Sequence, residues 1–134
     1  MSGPRPTPAK PRRRRRPTLR AAVLCGALLG NLLDDGASLL GDLSDSDPRA
    51  LFASRGNLER VLERLASMRE SALAMPAEQR SALPGIDWRA WESLPLQSAS
   101  GPTREWRERL WRLVVELVPA TVEEARRYQA PTER

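Results

Sequence analysis

The chain has 134 residues, enough for one domain of ordinary size and too few for two. Hydrophobic residues make up 40% of it and aromatic residues only 4%, so a core must consist of Leu, Val and Ala, which favours helices over a β-sandwich. The absence of histidine and the single cysteine, Cys25, exclude an intrachain disulfide, zinc sites of His and Cys, and His-dependent catalytic triads. We therefore expect no metal and no cofactor.

Charge is distributed unevenly along the chain. Residues 1–20 carry eight Lys and Arg and no acid, whereas the remaining residues carry 14 Arg against 17 Asp and Glu, a net charge of −3. The overall net charge of +5 and the pI of 10.8 therefore describe the N-terminal segment. The sequence predicts a basic tail joined to a mildly acidic body.

The first 17 residues are rich in Pro and Arg and have no apolar periodicity, so we predict that they are a disordered tail. Five consecutive arginines are candidate contacts for RNA or DNA phosphates, with salt-dependent, non-specific affinity. No aromatic residue interrupts the run, so the sequence does not support sequence-specific recognition. A solubilising segment or a mis-assigned start accounts for the run equally well. The arginines are Arg12, Arg13, Arg14, Arg15 and Arg16.

The next segment, residues 18–40, has apolar residues at helical spacing, with Thr18 as its N-cap. A basic run followed by AAVLCGALLG also resembles a secretory signal, and export is the alternative interpretation. The uncharged stretch Ala21–Leu33 has 13 residues, which is too short to span a membrane, and it leads into Asp34 and Asp35 without a clear cleavage site. We expect a cytoplasmic protein that does not enter a membrane.

A second helix follows the acidic linker GDLSDSD. Asp47 supplies an N-cap and Pro48 a first-turn proline, and the helical pattern continues to Met75, with Gly56 as a possible point of division. Its apolar residues recur in steps of three, four and seven, as on one helix face. They are Leu51, Leu58, Val61, Leu62, Leu65, Met68, Ala72 and Met75.

Prolines then interrupt the helical pattern. Pro76 and Pro84 bracket a polar segment, after which a short turn or a single helical turn carries Trp88 and Trp91. Further prolines and a glycine keep Leu94–Pro102 out of regular structure. We predict a loop at this place.

Thr103 is expected to cap a last helix that reaches about Arg127 and that Pro119 bends or breaks. The fold class predicted is all-α: a small antiparallel bundle of three to five helices over residues 18–128, between tails 1–17 and 129–134. The apolar stripe of the last helix consists of Trp106, Leu110, Trp111, Leu113, Val114, Val115, Leu117 and Val118.

Several residues between positions 64 and 119 keep the register of one family's motifs, and the chain resembles the HepT-like family of the HEPN superfamily. Those proteins are small all-helical ribonuclease toxins. The resemblance implies a HEPN-like bundle, a homodimer, and a nucleotidyltransferase-type antitoxin partner that modifies a loop tyrosine. The matching residues are Glu70, Ala72, Met75, Pro76, Pro84, Ile86, Trp88, Arg89, Trp111, Val118 and Pro119.

The same register places the family's catalytic arginine on Pro95, the neighbouring asparagine on Leu96, the histidine on Ser100 and the tyrosine on Pro102. RNA cleavage needs a general acid or base and fixed positive charge, and losing one of these commonly costs roughly 10²- to 10⁴-fold in rate. The resemblance therefore implies a catalytically degenerate, binding or regulatory relative of the toxins. The alternatives are a nucleic-acid tether acting through the tail and a residual ribonuclease.

The remaining chemical groups have ordinary structural interpretations. Tryptophans at a loop and helix boundary are expected in the core rather than stacked on RNA. The arginines and glutamates of the last helix are expected to form a solvated face, and Cys25 is expected to be a small buried hydrophobic residue. The charged residues of that face are Arg104, Glu105, Arg107, Glu108, Arg109 and Arg112.

Overall fold

The computed structural model describes residues 19–44, 47–97 and 101–129. These residues contain six helices and no strand, so the all-α prediction is confirmed. The count exceeds the predicted three to five because three of the helices have only five or six residues. The predicted tail at 1–17, residues 130–134 of the predicted tail 129–134, the N-cap Thr18 and the loop residue Ser100 lie outside the described residues. The helices are α1 (Leu19–Leu43), α2 (Pro48–Ala53), α3 (Arg55–Ala74), α4 (Ala77–Ala82), α5 (Trp88–Glu92) and α6 (Arg104–Gln129).

Helix α1 extends three residues beyond its predicted end at Leu40. Leu39 is fully buried, and Leu40 and Leu43 pack against the same core, so burial of these leucines favours another helical turn over the acidic linker that was expected. The buried face of α1 consists of Cys25, Leu28, Leu29, Leu32, Gly36 and Leu39.

The second predicted helix begins as expected but divides at a different residue. The Asp47 carboxylate accepts a 2.7 Å hydrogen bond from the Ala50 amide, which confirms the N-cap. The division falls at Ser54, not at Gly56, because the Ser54 hydroxyl accepts a hydrogen bond from the Asn57 amide and so caps α3. A cap satisfies a free backbone donor, whereas glycine only lowers helix propensity.

The polar segment between Pro76 and Pro84 forms the short helix α4, which the sequence pattern did not predict. Helix α5 is the predicted single turn that carries Trp88 and Trp91. It begins after Asp87, whose carboxylate accepts a 3.1 Å hydrogen bond from the amide three residues later.

Helix α6 begins at its predicted cap, since the Thr103 hydroxyl accepts a 3.2 Å hydrogen bond from the Trp106 amide. Of the two effects predicted for Pro119, a bend or a break, the break does not occur, because α6 continues to Gln129, one residue into the predicted C-terminal tail. Pro119 has no backbone N–H and cannot donate a helical hydrogen bond, but packing outweighs this loss because buried residues lie on both sides of the proline. They are Leu110, Val114, Leu117, Val118, Thr121, Val122 and Ala125.

The three long helices form the bundle, with α1 packed against both α3 and α6. The rings of Phe52, just before α3, and Trp106, at the start of α6, meet edge to face at 6.4 Å. Beyond the end of α3, Gln79 accepts a 3.2 Å hydrogen bond from the Tyr128 hydroxyl near the end of α6. Helices α3 and α6 therefore run in the same direction.

The helices approach most closely at Gly36 of α1. A methyl group there would overlap a methyl of Val122 on α6 and come within 3.2 Å of the Met68 methyl on α3. Next to it, the Asp35 carboxylate accepts a 2.6 Å hydrogen bond from the Ser67 hydroxyl on α3. The glycine permits the contact, and the hydrogen bond fixes the register of α1 against α3.

Helix α1 is also long and apolar enough to cross a membrane, with a mean hydropathy of 1.4 over its most apolar window. The sequence argument counted only the 13 uncharged residues, whereas the whole helix has 25. One third of that window is buried inside the bundle. Core helices and N-terminal signal sequences both share these properties, so the absence of membrane insertion stays a prediction.

We expect Gly36→Ala to lower the free energy of unfolding by about 1–3 kcal/mol, because Val122 has a rigid side chain and must move to admit the methyl group. Gly26→Ala, on the same helix, is the matched control, since nothing lies within 4 Å of its added methyl group. It should raise stability by up to about 1 kcal/mol through helix propensity. Urea unfolding measures both variants, and equal effects would contradict the packing described.

Candidate functional site

The predicted catalytic loop follows α5, which a buried tryptophan ties to α6. The Trp91 side chain is fully buried, and its indole N–H donates a 3.0 Å hydrogen bond to the Thr121 hydroxyl. That hydroxyl donates in turn to the Leu117 carbonyl at 2.8 Å. Both side chains are 0% exposed, so this pair satisfies polar atoms that water cannot reach.

Arg69 of α3 holds the other side of α5. Its guanidinium donates hydrogen bonds of 3.2 Å to the carbonyls of Trp91 and Glu92, which lie at the C-terminal end of that short helix. The Trp91 carbonyl also accepts a 3.5 Å hydrogen bond from the Leu94 amide, and a cation is favourable at a helix C-terminus. Arg69 therefore has a structural role at the C-terminal end of α5.

Arg80 of α4 joins three parts of the chain. Its guanidinium donates to the Met75 carbonyl at 3.1 Å, forms a 2.8 Å ion pair with Glu92, and lies 5.4 Å above the Trp88 ring. The Trp88 indole N–H donates to the Arg80 carbonyl at 3.2 Å. Arg69 and Arg80 therefore support α5 and the turn before it. Neither guanidinium can bind a phosphate without breaking these contacts.

The loop positions of the predicted site are occupied by structural residues. The carbonyl of Pro95 accepts a 2.8 Å hydrogen bond from the Trp106 indole N–H, and Leu96 is half-buried against the core. Pro102 is exposed, next to Gly101, whose φ of +80° suits glycine. Ser100 lies outside the described residues. The described part of the loop, 94–97 and 101–103, has no ionisable side chain.

A cleft of about 410 Å³ lies beside this loop, between Leu96 and the exposed face of α3. Two glutamates face it, Glu63 and Glu70, together with the Arg69 that already binds backbone carbonyls. Carboxylates repel phosphate, so the cleft does not suit an RNA backbone. The only cation among the described residues of the loop and this cleft is Arg69, which already binds the carbonyls of Trp91 and Glu92.

A larger open groove of about 780 Å³ lies between α2 and the first half of α6, and we call it the α2–α6 groove. Its floor combines aromatic and aliphatic side chains, and arginines surround them. The sequence interpretation assigned only a solvated-face role to the groove arginines of α6, and it assigned none to Arg49. The lining residues are Pro48, Arg49, Phe52, Ala53, Arg104, Arg107, Glu108, Trp111, Arg112 and Val115.

The four arginines of this groove differ in their partners. Arg104 forms a 3.1 Å ion pair with Glu108, and the Arg107 guanidinium lies 6.0 Å above the Phe52 ring. In the described part of the chain, Arg49 and Arg112 have neither an ion pair nor a hydrogen bond. The groove therefore presents two uncommitted cations beside exposed apolar surface.

Trp111, which lines the groove, differs from the other three tryptophans. Their indole N–H groups donate to protein acceptors: Trp88 to Arg80, Trp91 to Thr121 and Trp106 to Pro95. The Trp111 N–H finds no acceptor among the described residues, and since no buried nitrogen there lacks a partner, it faces solvent. The core prediction holds fully for Trp91, while the other three lie at the edge of the core.

Cys25 is buried as predicted, with 5% of its side chain exposed, and burial raises the pKa of its thiol. A thiol with a raised pKa is a weak nucleophile. Within residues 19–44, 47–97 and 101–129, no group of three Cys, Asp or Glu side chains is placed to hold a metal ion.

We expect Thr121→Val to lower the free energy of unfolding by about 1–3 kcal/mol, because the shape is kept while the buried Trp91 N–H loses its acceptor. Thr121→Ser keeps the hydroxyl and loses one methyl group, and should cost about 0.8 kcal/mol. Thermal or urea unfolding compares the two. A valine variant as stable as the natural chain would show that the hydrogen bond does not hold α5 to α6.

The chain matches no known family model, no curated protein and no solved structure. Its resemblance to HepT-like proteins therefore depends on the residues between positions 64 and 119 alone. The loop after α5 and the α2–α6 groove are the structural features that bear on its function.

Proposed function

We propose that this protein is a catalytically degenerate, HepT-like HEPN bundle that acts in the cytoplasm as a binding or regulatory protein, without ribonuclease activity. The observation that carries this proposal is the loop after α5. Pro95 and Leu96 stand at the family's Arg and Asn positions in the register of the resemblance. The Pro95 carbonyl accepts a hydrogen bond from the Trp106 indole N–H, and the Leu96 side chain packs against the core. These groups stabilise the loop and offer no acid, base or charge for phosphoryl transfer.

The exposed apolar surface supports a role in binding. Leu19, Val23 and Leu24 at the start of α1 are 82%, 64% and 49% exposed, which is unusual for adjacent large apolar residues. We propose that a second copy of the chain covers this surface in a homodimer. A nucleotidyltransferase-type antitoxin is the proposed partner outside the dimer, bound without modification because proline replaces the acceptor tyrosine at Pro102.

The purified natural chain should not cleave single-stranded RNA above a buffer control. The double substitution Pro95→Arg and Ser100→His restores the two side chains that the family's register requires and should give partial cleavage. Each protein is assayed with and without residues 1–17, so that RNA binding by the tail is separated from chemistry at the loop.

The single substitution Pro95→Arg is the matched control, since it adds the cation without the proton-transfer group and should stay inactive. Cleavage by the natural chain that is lost on deleting part of residues 94–102 would overturn the proposal. Activity that persists after that deletion would indicate a contaminating nuclease.

A second candidate function is nucleic-acid tethering by the tail, favoured by the eight basic and no acidic residues in positions 1–20. If Arg12 to Arg16 neutralise phosphates, the logarithm of the affinity for single-stranded nucleic acid should fall with the logarithm of salt concentration with a slope of about −3 to −4. Replacing these five arginines by serine should abolish binding in a fluorescence anisotropy titration. Affinity that does not change with salt or with this replacement would exclude the tail as a tether.

A further inference from the structure

We propose that the α2–α6 groove is a docking site for an acidic amphipathic helix of a partner protein. The partner would place an apolar stripe on the floor of the groove and Asp or Glu side chains against the arginines on its two sides. This inference rests on the proposed binding role and adds to it the surface and the chemistry of the partner.

The floor of the groove requires an apolar occupant. Val115 is 43% exposed although it lies on the core-forming helix α6, and Phe52 and Trp111 present ring surface beside it. Aliphatic side chains such as Pro48 and Val115 gain free energy by burying apolar area, which a phosphate and ribose backbone does not supply. These residues favour a protein side-chain partner over a nucleic acid.

The charge of the groove is opposite to that of the rest of the body. Four arginines and one glutamate give the groove a formal charge of +3, whereas residues 21–134 together carry −3. Arg49 and Arg112 make no ion pair or hydrogen bond within the described residues, so a carboxylate would bind them without displacing another partner. Charge also excludes residues 1–17 of the same chain as the occupant, because that segment contains no acid.

The shape of the groove favours a helix over an extended strand. Its two walls are helices, whose backbone groups are already hydrogen-bonded and cannot pair with a strand edge. Along α6 the lining runs from Arg104 to Val115, which at about 1.5 Å per residue is about 16 Å, the length of three helical turns. Side chains of a third helix can fill such a groove between two helices.

The test uses the full chain and a fluorescein-labelled designed peptide of about four helical turns. The peptide has leucine at every third or fourth position and glutamate on both sides of that stripe. A permuted peptide of identical composition, with the leucines spread around the helix, controls for charge alone. Fluorescence anisotropy at about 0.15 M salt limits long-range attraction by the basic tail.

The groove variant carries both Arg49→Glu and Arg112→Glu. The matched control is Arg109→Glu, because Arg109 is an exposed residue of α6 that does not line the groove. We expect saturable binding of the amphipathic peptide, about tenfold weaker binding by the double variant, and less than about twofold change for the control. The permuted peptide should bind at least about tenfold more weakly to the natural chain, because it buries less apolar area. All three arginines are exposed, so these changes should leave the circular dichroism unchanged.

A second measurement locates the peptide. Since Cys25 is buried, Val115→Cys adds one accessible thiol that takes an environment-sensitive dye, and Arg109→Cys provides the matched labelled position. The emission of the dye at position 115 should shift to shorter wavelength on peptide binding, and that at position 109 should not.

Three results would overturn the inference. One is no saturable peptide binding, or binding that the groove and control variants weaken equally. Another is tighter binding of a short oligouridylate that depends on Arg49 and Arg112, which would make the groove a nucleic-acid site. The third is a natural homodimer that the groove variant alone dissociates, which would make a second copy the occupant. The RNA-cleavage assay tests the loop after α5 and does not involve the groove residues. Failure of the groove proposal is therefore distinguishable from failure of the proposed function.

Discussion

The hydrogen bond between Trp91 and Thr121 is the contact on which the arrangement of the loop depends. It joins α5, a helix of only five residues, to the second half of α6, inside a core that water does not reach. A helix so short has little stability of its own, and it persists because Trp91 fills the core and Arg69 binds its last carbonyls. The position of α5 then determines where the following loop leaves the bundle, and Trp106 binds that loop again at Pro95. The indole groups thus act as structural donors on both sides of the loop.

The helical fold of the protein and the catalytic chemistry that the resemblance implies have to be considered separately. The loop on which the resemblance would place the catalytic groups of HepT-like toxins is attached to the core through carbonyl and leucine contacts, and the neighbouring cleft contains carboxylates. Positive charge and accessible aromatic surface are concentrated instead in the α2–α6 groove, on another part of the bundle. A binding protein needs exposed complementary surface, and among the described residues the α2–α6 groove offers such a surface.

The sequence was sufficient to predict the helical class, the caps at Asp47 and Thr103, and most of the buried stripe, because periodicity and capping are local properties. It placed the division of the second helix at Gly56 instead of Ser54, and it left open a bend or a break at Pro119, where packing by residues distant in sequence decides whether the helix continues. The loop positions came from a resemblance and not from geometry, and the structure shows what their backbones bind. The groove was missed because α2 and α6 are more than 50 residues apart in sequence; the spacing of Arg104, Arg107, Trp111 and Val115 was the only local signal of a shared face.

The most direct test of this account is hydrogen exchange of the four indole N–H groups, which give separate signals in a nitrogen-15 correlation spectrum. Trp91 should exchange only on global unfolding, Trp88 and Trp106 should be protected by their carbonyl acceptors, and Trp111 should exchange like a free indole. A Trp106 that exchanges as fast as Trp111 would mean that the loop is not held at Pro95, and the argument for a structural rather than catalytic loop would fail. Three protected signals and one free signal would show that the loop is bound to the core while the groove stays open.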